Sequence, residues 1–531
     1  MTDMAEKKRI LINDIRIPYG SGSYDEEAIR KASSILRKKT GEVPSELKIA
    51  KKSIDARREI TFVYTVYAEI SCSEKKLNDP KIKLFSEPVL EVKKGREALA
   101  DRPVIIGFGP AGMFAGLLLA KEGYRPLILE RGADVDARTE AVEKFMHGGS
   151  FDVSTNIQFG AGGAGTFSDG KLTTRINDPL IAYVLKILVE LGAPEDIVYK
   201  AKPHIGTDIL RDVVRRTDEK IREYGGEIRY LTTAHDICDD SLTAGDERIG
   251  FGALIIASGH SARDTYAELM DSGFMIEPKP FSVGVRAEHL QEDIDRAMFH
   301  EHAGDESLGR AEYQLSYRRG DRGCYTFCMC PGGTVVPSAS EEGGVVTNGM
   351  STRARDGRNA NAAVCVSVLP SDYGNDPHKA IQFQRDLERA AYRAGGEDYT
   401  APMQTVGDLL GGKSGSGYSK IVPTYRDGNV KPCDFDKIFP SFVTEMLREG
   451  LSDFGKKIKG YDDGCVPLTG VETRTSAPVR ILRGEDCTAV GHGKIYPCGE
   501  GAGYAGGIVS AAVDGLRVAA KIIEKYAPIE K

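Results

Sequence analysis

The hydrophobic pattern divides the chain into stretches of different character. ILINDIRI (10–17) and ITFVYTVYAEI (60–70) are β-rich runs. Between them, Glu26 to Lys39 reads as an amphipathic helix with Ile29, Ala32, Ile35 and Leu36 on one face. Residues 1–95 are therefore expected to form a small α+β module, and KKGREALADR (93–102) to be a linker. From Arg102 the pattern becomes PVIIGF, AGMFAGLLLAKEG and RPLILE, a strand–helix–strand unit that predicts a parallel sheet. A helix over Thr207–Tyr224, β-rich EIRYLTTAHDI (227–237) and a buried strand ALIIASG (253–259) continue it. From Phe281 to about Gly464 the chain turns β-rich and irregular, as an inserted domain would. A last strand (Lys494–Pro497) and helix (Gly507–Tyr526) return to the first pattern. The expected division is 1–95, 96–280, 281–464 and 465–531.

One apolar stretch imitates a membrane span. Pro103–Ala120 contains no charged residue over eighteen positions, but Gly107, Gly109, Pro110 and Gly112 would break a spanning helix. A strand–turn–helix explains those residues and a membrane segment does not. The 531 residues are 41% hydrophobic and 28% charged, which excludes a disordered chain. Sixty of them are glycine, about 11% against a usual roughly 7%, so tight turns and close backbone approaches are over-supplied. A net charge of −7 disfavours nucleic-acid binding through bulk positive charge. The basic run KKSIDARR (51–58) goes against that trend, and a solvated face is preferred for it over an RNA contact. Ten scattered cysteines without a CxxC pair, and an N-terminus without an apolar signal core, lead us to expect a cytoplasmic protein with no metal site.

GxGxxG occurs three times. At Gly107-Phe-Gly109-Pro-Ala-Gly112 it follows an apolar strand and opens a helix, as a dinucleotide site requires. Gly107 permits the turn, Gly109 lets backbone approach a pyrophosphate, and Gly112 lets helix and strand pack. Pro110 suits the first helical turn. Eighteen residues on, Glu130 ends a strand where a carboxylate accepts ribose hydroxyls and repels a 2′-phosphate. Gly160–Gly165 is no helix start and is either a ligand-lining loop or a plain one. Gly501–Gly506 leaves too little chain for a second nucleotide domain, so it completes a site begun elsewhere. Gly407-Asp-Leu-Leu-Gly-Gly-Lys413-Ser414 is a literal GxxxxGK[ST], but glycines and a proline follow where an ATPase P-loop needs a helix.

Together the first and third motifs resemble the FAD-binding fold of the glutathione-reductase-like superfamily. With SIDARR, GAGGAGTFSDGKLTTR, ASGHSARDTY, KPFSVGVR, CYTFCMCPGG, VTNGMS, TGVETRTSAPVRILR and YPCGEGAGYAGGIVSAAVDG, nearly the whole chain is similar to a bacterial family of FAD-dependent dehydrogenases of undefined substrate. The resemblance implies an α/β fold: a Rossmann-like FAD domain split by a β-rich substrate domain and preceded by the α+β module. It implies that Gly107, Gly109, Pro110, Ala111, Gly112, Glu130 and Arg131 serve the ADP half of FAD, with Ala234 at adenine. Gly499 and Glu500 would meet the ribityl and pyrophosphate. Gly163, Gly165, Thr166 and Ser168 would flank the isoalloxazine, and Gly506, Gly507 and Ile508 its pyrimidine edge. Ser258-Gly259-His260 matches the superfamily's "ATG" stretch, with Ser for Thr.

No second βαβ unit offers a resident nicotinamide site, and the CxxxxC redox pair of glutathione-reductase-type enzymes is missing. The expectation is a FAD-dependent oxidoreductase passing a hydride between flavin and an unsaturated or carbonyl-type small molecule, with NAD(P)H docking transiently if at all. Candidate acid–base or anion-holding groups are His260, Lys171, Arg263 and Asp169. His260 is equally read as a loop residue at a helix start. Cys324, Cys328 and Cys330 share one strand face by period two, and packing is preferred over catalysis for them. The rival readings are an RNA-modifying flavoenzyme and a non-catalytic flavin redox sensor.

Overall fold

Val104–Ile106, Leu127–Leu129 and Leu254–Ile256 are short strands in which every residue is buried. Strands covered on both faces carry unbroken apolar runs, which is why PVIIGF, RPLILE and ALIIASG show no alternation. In the computed structural model, which describes residues 7–57, 59–87, 89–412 and 420–529, they join Glu227–Arg229 and Ile495–Pro497 in one parallel sheet. Val104–Ile106 is central. The next two strands in the chain lie on one side of it, and Leu254–Ile256 and Ile495–Pro497 on the other. The sheet therefore reverses its direction of growth between 104–106 and 254–256, and a crevice opens at the strands' carboxyl ends there.

Helix Pro110–Lys121 is apolar on all sides because it is enclosed on all sides. Helix Ile508–Lys525 lies against it so closely that a Cβ on Gly515 would stand 2.2 Å from the Ala111 carbonyl oxygen. EIRYLTTAHDI is not one strand: Ala234–His235 leaves the parallel sheet for a separate three-stranded one.

The β-rich region builds a seven-stranded sheet in the order 316–319, 322–330, 359–368, 281–290, 467–472, 401–405, 430–432. It runs to Glu472, past the expected boundary at 464. Two long helices, Pro377–Gly395 and Ser441–Lys457, accompany the strands. The entering and leaving chains, Ile276–Pro278 and Val479–Ile481, pair with each other. A buried strand, Ala401–Thr405, does precede the P-loop-like motif, but helix Val406–Leu410 takes up its first positions. Lys413 and Ser414 of that motif lie outside the described residues.

The N-terminal module is an antiparallel sheet in the order 46–55, 61–71, 7–18, 82–84, with helix Tyr24–Thr40 on one face. The helix buries Ala28, Ala32, Leu36 and Thr40, while Ile29 and Ile35 are only half-buried, so the buried stripe sits one step from the expected one. KKSID (51–55) belongs to the outer strand, and its edge is partly covered: the Lys52 N–H bonds to the Tyr199 carbonyl (2.7 Å) and the Ala201 N–H to the Lys52 carbonyl (2.8 Å). Residues 93–97 are no free linker: Gly95 N–H bonds to the Ile523 carbonyl (2.8 Å), and a Cβ there would meet the Lys525 carbonyl at 2.2 Å. Among the described residues no helix is long and apolar enough to cross a membrane.

Candidate functional site

Each glycine of the first motif has its own reason. Gly107 has φ +97°, and a Cβ on it would strike the Ala257 carbonyl oxygen at 2.4 Å. One on Gly112 would meet the Gly107 oxygen at 2.0 Å. One on Gly109 would look across the crevice towards Gly163 Cα, 3.7 Å away. Pro110 opens the helix after Gly109, and no side chain caps it. Asp134, by contrast, caps helix Val135–Met146 by accepting from the Asp136 and Ala137 N–H groups. The first-turn donors of Pro110–Lys121 are thus left facing the crevice.

Glu130 is buried and accepts three backbone N–H groups, from Phe108 (2.8 Å), Gly132 (2.9 Å) and Gly160 (2.9 Å). It ties the first glycine turn to the second. Arg131 lies over the Phe159 ring and pairs with Asp264.

The Gly160–Gly165 segment is an ordered wall. Its organiser is Arg138, which the motif reading did not single out. Fully buried, it donates to the carbonyls of Asn156, Ile157, Gly160, Ala161 and Gly163 at 2.5–3.1 Å. Burial lowers its pKa to about 9, so it remains a cation at neutral pH. Thr166 is buried behind the wall, its carbonyl held by the Thr207 hydroxyl (2.7 Å). Ser168 donates to the Gly165 carbonyl (2.7 Å), and a Cβ on Gly165 would reach Ile508 at 2.9 Å.

The third motif arrives opposite. Gly499, at φ +78°, donates its N–H to Asp514 (2.8 Å), which Arg483 grips in turn. Glu500 follows, with 26% of its side chain exposed and His260 Nε2 3.9 Å away. Burial pushes its carboxyl up to about 7, a rise that Lys279 partly offsets. Burial, with Arg474 and Arg263 nearby, drops the His260 imidazole to about 3, so it is neutral at physiological pH. Gly507 opens helix Ile508–Lys525, again without a side-chain cap. A Cβ on Gly506, Gly507 or Gly259 would meet no atom within 4 Å.

These segments line one cleft of about 1520 Å³, including the solvent at its mouth. It brings together Gly107, Gly109, Pro110, Ala111, Glu130, Arg131, Gly163, Gly165, Ser168, Lys171, Ala234, Ser258, Gly259, His260, Glu500, Gly506, Gly507 and Ile508. Gly112, Thr166 and Gly499 stand behind its surface. The inserted domain supplies Phe327, Cys328, Cys330, Asn348, Glu472 and Arg474.

Most charges in the cleft are already paired. Lys171 contacts Asp169 (2.6 Å), which also takes Arg355. Burial opposes ionisation of Asp169, but those two cations hold its carboxyl below the usual range. Glu472 pairs with Arg286, and Arg474 with Glu388. Arg263 lies outside the cleft, contrary to expectation. It is buried, with Nη1 and Nη2 bonded to Glu341, Gln384 and Glu388, and its unpartnered Nε is itself buried away from the cleft. The cysteines do not share a face either. Cys328 has φ +43° at a bulge between Phe327 and Cys330, so Cys324 packs beneath helix Ser441–Lys457 while Cys328 and Cys330 face the cleft.

Two uncapped helix N-termini that offer donors, a buried carboxylate that accepts at a strand end, and glycines that leave room on the cleft side suit an elongated, phosphate-bearing dinucleotide. The family described as "FAD-dependent protein, C-terminal domain-like" matches residues 280–475. A Clostridium beijerinckii protein described as "Uncharacterized protein" is 44% identical over 500 residues, covering 91% of this chain and 93% of that one. The chain belongs to that protein's family. It is an FAD-dependent protein. Among solved structures, glycine oxidase from Geobacillus kaustophilus aligns with TM-score 0.35 and 13% identity over 81% of this chain and 96% of that one. CtdE in complex with FAD aligns with TM-score 0.30 and 11% identity, over 80% and 84%. These scores are too low to transfer anything to this chain.

Three outcomes follow for the FAD-dependent chain. Gly507→Val should fold normally yet lose FAD affinity, whereas Gly112→Val, which meets backbone at once, should lower the unfolding temperature itself; FAD titration beside thermal unfolding separates them. Arg138→Met should destabilise the protein by about 3 kcal/mol or more, because it leaves several buried carbonyls without donors; denaturant unfolding checks this, and Arg138→Lys should not rescue it. Protonated Glu500 can donate a hydrogen bond to an anionic ligand, and ionised Glu500 repels one. The FAD dissociation constant of deflavinated protein should therefore rise as pH passes about 7, approaching about tenfold per pH unit, and Glu500→Gln should flatten the profile.

Proposed function

We propose that the chain is an FAD-dependent oxidoreductase acting on a small unsaturated or carbonyl-type molecule. The observation that carries the reading is the convergence of two uncapped helix N-termini and an acid-tipped strand on one crevice. On this reading residues 96–280 and the C-terminal segment form a Rossmann-like FAD domain, split by the inserted sheet. Glu130 takes the adenosine ribose, with Ala234 beside adenine. The N–H groups after Gly109 take the pyrophosphate, and Glu500 the ribityl side. FAD, when bound, supplies the hydride chemistry.

The chain's own residues position and tune it. The positive end of helix Ile508–Lys525 favours negative charge placed against Gly506–Ile508. The wall from Gly163 to Ser168 fixes a plane opposite. Substrate then enters against Phe327, Cys328, Asn348 and Arg474, where the inserted domain closes the cleft. Lys171, held by Asp169, directs its ammonium towards that space and suits an anionic or carbonyl oxygen. His260, neutral beside Glu500, exchanges a hydrogen bond rather than a charge. With no resident nicotinamide domain, NAD(P)H docks transiently in the substrate space. None of the ten cysteines forms a disulfide, which suits a reducing cytoplasm.

Anaerobic titration of the flavin-loaded protein with NADPH and then NADH tests the electron donor. Bleaching of the visible flavin band by one of them is expected. A band unchanged by both contradicts transient nicotinamide docking and leaves reduction to the substrate.

A further inference from the structure

The net charge of −7 conceals a segregation. Residues 1–85 hold 18 Lys and Arg against 13 Asp and Glu, and the remainder holds 53 against 65. The N-terminal module is thus a cationic unit on an anionic protein. Its sheet also has an open face. Helix Tyr24–Thr40 covers the side of Ile10, Ile12, Phe62, Val66 and Ala68. The opposite side carries Leu11, Val63, Tyr67 and Phe85, all partly exposed and none joined to a hydrophobic cluster of the described residues.

Strand register arranges this face in rows. Lys48 stands opposite Tyr67, Tyr67 opposite Leu11, and Leu11 opposite Lys83. In the next row Lys51 stands opposite Thr65, whose hydroxyl donates to Asn13 (3.1 Å), and Asn13 N–H bonds to the Lys81 carbonyl. Lysines therefore rim both edges, about 14 Å apart at three strand spacings, around a centre that is aromatic, apolar and hydroxyl-bearing. Phe85 meets Tyr67 edge-on at 5.7 Å at one end of that centre. The acids on this face are engaged locally: Glu69 with Lys7, Arg9 and the Tyr67 hydroxyl, Glu46 with Lys48, and Asp14 with Arg16 and Lys81. Among the described residues Lys51 and Lys83 have no ion-pair partner.

We propose that this face binds single-stranded RNA. Cationic rims track a phosphate backbone, a partly exposed aromatic centre stacks unpaired bases, and the Asn13–Thr65 row offers partners to 2′-hydroxyls. A duplex has its bases closed to such a platform, and DNA lacks the 2′-hydroxyl. The site stands apart from the FAD cleft and does not depend on the reaction carried out there.

The test uses full-length, flavin-loaded protein and fluorescence anisotropy with a short labelled oligouridylate, its deoxy counterpart and an RNA duplex. Single-stranded RNA should bind best, with affinity falling as salt rises at a log–log slope near −3, about −0.7 for each of four lysine contacts. The triple variant Lys48→Glu, Lys51→Glu, Lys83→Glu should weaken binding at least about tenfold and flatten that slope. Tyr67→Ala should weaken binding by about tenfold with the slope retained. Unchanged flavin absorbance in each variant reports an intact protein. No RNA binding at low salt, undiminished binding by the triple variant, or equal affinity for the deoxy strand or the duplex would overturn the proposal.

Discussion

One residue, Gly160, joins the two charges on which the cleft depends. Its N–H bonds to Glu130 and its carbonyl to Arg138, at 2.9 and 3.1 Å. Burying a guanidinium costs several kcal/mol, and here carbonyl dipoles offset the cost, helped by the nearby Glu130 charge. The arrangement also demands glycine: φ is +116°, and a Cβ would fall 2.4 Å from Arg138 Cδ. From this junction the rest of the wall is fixed. Gly162 N–H reaches the Phe108 carbonyl (2.7 Å) and Ala161 N–H the Ala133 carbonyl (3.0 Å), so the second glycine segment is laced to the first. Without Arg138 those peptides would have nothing to face, and the plane opposite the two helix ends would be lost.

A second buried network sets the inserted domain against the parallel-sheet domain. Glu388, on helix Pro377–Gly395, accepts from Arg263, Arg474 and the Thr473 hydroxyl. Arg263 belongs to the helix after Leu254–Ile256, and Arg474 to the chain leaving the inserted sheet. The two arginines hold the Glu388 carboxyl far below its usual range despite its burial. Removing one partner would strand a buried charge, a loss of about 3–5 kcal/mol. Glu388 thus ties the inserted domain to the helix after Leu254–Ile256, and Arg263 serves that tie.

The first glycine motif was legible because its chemistry is local: strand, turn and helix follow in order, and Glu130 closes the unit. Arg138 was not legible. It sits in a helix whose sequence, VDARTEAVEKFM, looks like a polar surface, and its partners come from a loop some twenty residues on. Alternation placed three cysteines on one face because it cannot foresee a bulge, and the bulge is what turns Cys328 into the cleft. The boundary at 464 failed for a similar reason: PLTGVE (467–472) pairs with Phe281–Leu290, nearly two hundred residues away, and nothing local says so. The basic excess of the N-terminal module was legible in KKSIDARR (51–58), but which of its residues share one sheet face follows only from strand register.

The most direct test of the account is the identity and amount of flavin carried by the purified protein. Visible absorbance against protein concentration, with the extracted nucleotide identified by mass, should give one FAD per chain. Bound FMN, or a flavin-free protein that takes up no FAD, would contradict it, because FMN would leave Glu130 and the helix end at Pro110 without the partners proposed for them.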